Sequence, residues 1–136
     1  MVRHTGVVAA VLAGAAPNPD GKMRAYATMA LASVHGQLAR IYEDAGASKN
    51  DGALWRMLGA APMVGRNDVA AEVFTLSGAQ PLTDRPRAQD LGSLGMWSAN
   101  RDYPCPTEPS VRPDCSSAPD QTMDLAFSQL FAAFGP

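Results

Sequence analysis

The sequence predicts an all-α fold, a small bundle of four to five helices with a long irregular Pro-rich segment (79–119) wrapping it. Three observations carry that prediction. Alanine, the best helix former, is used heavily, while isoleucine occurs once (Ile41) and the other strand-favouring residues are scarce. Apolar residues recur at helical spacing in two separate stretches. Between them lies a run of Pro, Gly, Ser and Asp with isolated apolar anchors. The 136 residues fit one domain, 1–136, able to bury about two thirds of its unfolded surface.

The chain opens on an apolar segment, 1–16, whose core is "GVVAAVLAGAA" at 6–16, preceded by Arg3 and His4. It has two readings. A basic start, an apolar middle and a small-residue site at Ala13–Ala16 make it signal-like. Alternatively it is a retained helix whose Ala9, Ala10 and Ala13 let a neighbour approach closely, and that reading is preferred. Eleven residues fall short of the ~20 that a membrane-spanning helix needs.

The helical portion runs from 17 to 78. Its strongest element is a helix over 19–45, with Asn18 as N-cap, Pro19 in the first turn and Gly46 as the stop. Ala27, Ala30, Leu31, Val34, Leu38, Ile41 and Ala45 form its buried face. Gly36, inside that helix, marks a close helix crossing. A second helix begins at Ser48 with a Ser-x-x-Asp capping box to Asp51 and buries Leu54, Trp55 and Leu58. A third runs from Asn67 or Asp68 to Gly78. A strand over "EVFTL" is its alternative, set aside because no second strand signal supports it.

Segment 79–119 is anchored by Leu91, Leu94, Met96 and Trp97, with a single helical turn near 85–92. Unstructured stretches of this length are uncommon in compact domains and are usually functional or linkers. The C-terminal amphipathic helix spans 118–134. Ser117 and Asp120 form its capping box, and Met123, Phe127, Leu130, Phe131 and Phe134 its apolar face.

Both cysteines, Cys105 and Cys115, lie in "YPCPTEPSVRPDC". Their spacing fits neither a redox C-x-x-C motif nor haem attachment, and a metal site lacks further ligands nearby. A disulfide is the economical reading, with two unpaired surface thiols as its alternative. The disulfide implies an oxidising compartment: periplasm, extracellular space or an organelle lumen.

No catalytic constellation stands out. No serine sits in G-x-S-x-G or S-x-x-K, and no glycine loop cradles phosphate. The aspartates at 20, 51, 68, 84 and 120 sit at caps and turns. His35 lies at the edge of a helix face, where a structural role is commoner than ligation. An enzyme reading rests on it with an aspartate brought in by the fold. No catalytic residue, cofactor or metal is therefore expected. The net charge of −2 and the dispersed arginines argue against a nucleic-acid partner.

The functional expectation is a non-catalytic accessory or structural subunit that binds and stabilises a larger protein assembly. Its partners would be other protein subunits, peripheral association with a membrane complex included. Trp97, Phe127, Phe131 and Phe134 are the candidate partner-binding residues. The alternative is a small exported disulfide-containing binding module acting on a soluble partner or ligand.

Overall fold

The computed structural model describes residues 22–69, 71–84, 91–106 and 110–134. Segment 1–16, the Asn18–Pro19 cap and most of the turn at 85–92 lie outside the described residues.

Helix α1, Met23–Asp44, is the long strut. Met23, Tyr26, Ala30 and Leu31 are buried, and Ala27, Val34 and Leu38 pack against the core. The apolar stripe then leaves the core, so that Ile41 is 63% exposed. Gly46 follows in the left-handed region, φ +65°, which glycine adopts at no steric cost. Among the described residues no atom approaches where a Cβ of Gly36 would stand, so none of them forms the expected close crossing there. Helix α2, Asp51–Arg56, is capped by Asn50, whose Oδ1 accepts from Ala53 N at 2.8 Å. Ser48 does not cap it.

The all-α expectation fails from this point on. The chain next forms β1, Gly59–Ala60, and a small antiparallel pair, β2 Gly65–Arg66 with β3 Val73–Phe74. The helix expected from 67 or 68 is therefore replaced by the strand alternative inside "EVFTL". Helix α3, Leu76–Thr83, follows. Strand β4, Ser93–Leu94, then pairs with β1 in parallel, Gly59 opposite Ser93 and Ala60 opposite Leu94. Part of the segment expected to be irregular is thus a sheet strand.

The parallel ladder outruns the strands themselves. Gly92 N donates to Leu58 O, Gly95 N to Ala60 O and Trp97 N to Pro62 O, each at 2.8 Å. Val64 N donates to Trp97 O at 2.9 Å, and Met63 stands opposite Trp97. Parallel neighbours need a crossover, which the stretch containing α3 provides. The result is an α-β-α-β unit, not a helical bundle. These short strands lie among Gly, Ala, Pro and Met, whose weak strand preference hid them.

A short 3₁₀ turn, Ala99–Arg101, leads out of β4. The C-terminal helix, α4, is only Ala126–Phe131 where 118–134 was expected. The capping box is not used. Asp120 instead caps α3, accepting from Leu76 N at 3.0 Å and Ser77 N at 2.9 Å. Asp102 caps α4, accepting from Phe127 N at 2.9 Å and Ser128 N at 2.7 Å. Leu125 enters that helix in the left-handed region, φ 58°, with its N–H on Asp102 O at 2.7 Å. A backbone bond beside two side-chain bonds over-determines this costly conformation.

The core joins α1 to the far end of the chain: Tyr26, Leu31, Trp55, Val64, Phe74, Leu82, Phe127 and Phe131 belong to one cluster. Phe127 and Phe131 are buried there and Phe134 packs against it, so the aromatic face of α4 is taken up by the protein's own core. Phe127 and Phe131 therefore leave little surface to offer a partner, while Phe134 stays half-buried. Between α1 and the parallel strands lies an apolar cavity of about 410 Å³, lined by Met23, Tyr26, Leu31, Phe74, Leu82 and Leu94 among others. The Tyr26 hydroxyl and Asn67 Oδ1 are buried without a hydrogen-bond partner among the described residues. No described helix is long and apolar enough to cross a membrane.

Asp102 is fully buried and also accepts from Gln121 Nε2 at 2.7 Å. Asp102→Ala strands three donors, two of them backbone, and should lower stability by about 3 kcal/mol or more in urea unfolding. Asp102→Asn keeps one acceptor oxygen and should lose less.

Candidate functional site

In parallel α/β units, ligands bind beyond the carboxyl ends of the strands. Here that end is marked by Met63 and Trp97, the last opposed pair of the ladder. A cavity of about 380 Å³ opens there. Its lining comes from three places: Met63 and Asp68 from the β1 side, Trp97, Ser98, Asn100 and Arg101 from the β4 side, and Val111, Arg112 and Pro113 from the cysteine loop.

Trp97 is 50% exposed and Val111 43%, so the cavity has apolar faces open to solvent beside a polar floor. The Trp97–Ser98 peptide is cis. Ser98 Oγ donates to Asn100 Oδ1 at 2.5 Å, and Asn100 Nδ2 donates to Pro113 O.

Arg101 organises the floor. It is only 3% exposed. Its Nε and Nη2 donate to Val64 O at 3.3 and 3.2 Å, Nη2 also to Arg66 O at 2.5 Å, and Nη1 to Arg112 O at 2.6 Å. One planar guanidinium thereby fixes the loop after β1, strand β2 and the cysteine loop, a geometry lysine cannot supply. Burial pushes its pKa down, and the nearby Asp68 carboxylate pushes back. Gly65, at φ +74°, lets the chain pass against Ser116, where a Cβ would collide with the Ser116 carbonyl.

Cys105 and Cys115 are joined by a disulfide, with Cα atoms 5.2 Å apart. Ser116 N donates to Tyr103 O at 2.9 Å and closes the neck of the same loop. Within the loop, Arg112 and Asp114 form a two-pronged ion pair, both contacts 2.9 Å. It raises the pKa of the guanidinium and lowers that of the carboxyl, and both groups stay at the surface.

His35 takes no part in this cavity. It stacks on Trp55, with ring centroids 4.4 Å apart and planes 17° off parallel. Its Nε2 lies 3.2 Å from Asp51 Oδ1, an ion-pair distance without hydrogen-bond alignment. An aspartate does meet this histidine, but between α1 and α2. Among the described residues, no three His, Cys, Asp or Glu side chains cluster to hold a metal.

Trp97 was singled out from the sequence, though as an anchor for a loop or a partner. Asp68, Asn100, Arg101 and Val111–Pro113 were missed. The available signal was "GMWSANRD": an apolar stretch, an aromatic, then consecutive polar residues, the pattern of a strand running into a ligand-binding loop.

No protein-family model matches the chain. It is similar to the probable bifunctional chitinase/lysozyme of Escherichia coli (strain K12), 38% identical over 109 residues. That match covers 79% of this chain and 12% of the enzyme. Endochitinase 11 of Metarhizium anisopliae is 41% identical over 78 residues, 57% of this chain and 14% of that protein. Among solved structures, the catalytic domain of the hyperthermophilic chitinase from Pyrococcus furiosus superposes with a TM-score of 0.70 at 38% identity. It covers 83% of this chain and 36% of that one. Active domain 2 of that organism's thermostable chitinase, as catalytic-site mutants complexed with chito-oligosaccharides, gives 0.70 and 39%, over 82% and 34%. The chain thus spans about a seventh or less of the curated relatives and about a third of the solved chains.

These similarities overturn the expectation of a non-catalytic accessory subunit, and with it that of a stand-alone binding module: the matching solved chains are catalytic domains. They also agree with the α-β-α-β order against the helical bundle. The disulfide and the chitinase likeness are compatible with an oxidising compartment.

Arg101→Leu leaves three clamped carbonyls without their donor. It should cost about 2–4 kcal/mol in chemical denaturation. In hydrogen exchange, protection should fall first at the amides of Arg66 and Ser116, which lie beside the clamp.

Proposed function

We propose that this chain forms part of a chitinase-type glycoside hydrolase catalytic domain, and that the cavity at the carboxyl ends of its two parallel strands is a section of the saccharide cleft. The observation that carries this is Trp97, a half-exposed indole at the end of β4 beside Asp68, Ser98 and Asn100. A pyranose presents an apolar C–H face and an edge of hydroxyls. A flat aromatic surface next to hydrogen-bonding side chains matches both. The substrate class is an oligomer or polymer of β-linked N-acetylglucosamine.

Within such a reaction these residues bind and orient. Trp97 receives a sugar face, and its ladder bonds to Pro62 and Val64 hold it in place. Asp68, exposed and near the Arg101 guanidinium, is suited to accept hydrogen bonds from sugar hydroxyls. Glycoside hydrolysis further needs a carboxylic acid to protonate the leaving oxygen. It also needs a second group, a carboxylate or the substrate's own acetamide, to support the developing positive charge. Asp68 is the one carboxylate lining this cavity among the described residues. The reading therefore assigns the catalytic acid to the larger part of such a domain, which the matches do not cover. The disulfide and a polymeric substrate support a location outside the cytoplasm, in the periplasm or extracellular space.

Tetraacetylchitotetraose should quench tryptophan fluorescence through Trp97, because the other indole, Trp55, is buried and stacked on His35. Trp97→Ala should weaken binding at least about tenfold by calorimetry. Equal affinity of the wild-type chain and this variant, or no binding by either, would sink the proposal.

A further inference from the structure

We infer that the Val111–Pro113 stretch of the disulfide loop is a second wall of the saccharide cleft, contacting bound N-acetylglucosamine units, and that closure of the loop at Cys105–Cys115 sets its grip. The inference rests on the function proposed above and extends it to a segment that lies past both strands of the ladder.

Three observations support it. First, Val111, Arg112 and Pro113 line the same cavity as Trp97, and Val111 leaves an apolar side chain 43% exposed there. Second, the stretch is held by the cavity's own floor. Arg112 O accepts from Arg101 and Pro113 O from Asn100, so its backbone carbonyls are tied down while the Val111 side chain faces open space. The disulfide and the Tyr103–Ser116 bond fasten both ends of the loop. A wall fixed before binding loses little conformational freedom when ligand arrives. Third, the cations of the cavity are already engaged. Arg101 serves three carbonyls, and Arg112 is clamped by Asp114 on both prongs. Such a lining does not select for an anion. With its apolar faces, its neutral donors and acceptors and the one carboxylate of Asp68 to accept from hydroxyls, it suits an uncharged saccharide, as N-acetylated chito-oligosaccharides are.

The test uses the whole chain and tetraacetylchitotetraose, titrated by calorimetry. Val111→Asp places a charge on the wall at an exposed position that the fold tolerates. It should weaken binding about five- to tenfold. The double variant Cys105→Ser/Cys115→Ser, checked for its fold by circular dichroism, should weaken binding to a similar degree without abolishing it, since Trp97 stays in the ladder. Wild-type affinity in Val111→Asp, alongside lost binding in Trp97→Ala, overturns the second wall and leaves the cleft. Unchanged affinity in Trp97→Ala overturns the cleft and the wall together.

Discussion

Two adjacent side chains of opposite charge, Arg101 and Asp102, hold the upper end of this molecule together. They close the 3₁₀ turn that leads out of β4 and reach in different directions. Arg101 fixes the loop after β1 and the cysteine loop through four hydrogen bonds to three carbonyls. Asp102 fixes the start of α4 and Gln121. Burying an ion is costly unless its hydrogen-bonding capacity is met. Here each charge is met mainly by backbone groups, so the charges stabilise chain paths more than they stabilise each other. The cavity floor is a by-product of that arrangement: the residues between Trp97 and Asp102 cannot move without breaking bonds on both sides.

Local signals in the sequence were legible where the chain obeys local rules. The long helix and its glycine stop follow from spacing and from the left-handed conformation of Gly46. The aromatic face at Phe127 and Phe131 is buried, as apolar periodicity requires. What the sequence concealed was set by partners far along the chain. Ser117 and Asp120 look like a capping box for the helix after them, yet Asp120 caps α3, 44 residues before it. The helix after them receives its cap from Asp102 instead. The strands were invisible for a related reason. Two-residue pairings among Gly, Ala, Ser and Leu carry no alternation, and only the ladder between 58–64 and 92–97 reveals them.

The candidate site was half legible. Trp97 stood out as an aromatic among small residues, but its use depends on lying at a strand's carboxyl end, a fact of topology. Arg101 resembled any other arginine in the sequence. Its burial to 3% could not be foreseen without the three carbonyls that it joins. The 410 Å³ cavity between α1 and the sheet was hidden in the same way: its lining, from Met23 to Gly95, is brought together only by the fold.

The long-range caps have a consequence for synthesis. The N–H groups of Leu76 and Ser77 wait for a carboxylate 44 and 43 residues downstream. At about 5–20 residues per second, a ribosome needs some two to nine seconds to add those residues, before the exit tunnel is counted. For that interval α3, with a proline inside it, has only its local cap, Thr75 Oγ1 accepting from Gly78 N, and for the first part of it β1 has no β4 to pair with. The unit cannot close as it emerges. It must wait until its last third is made, leaving a nascent apolar segment in the care of whatever shields unfinished chains.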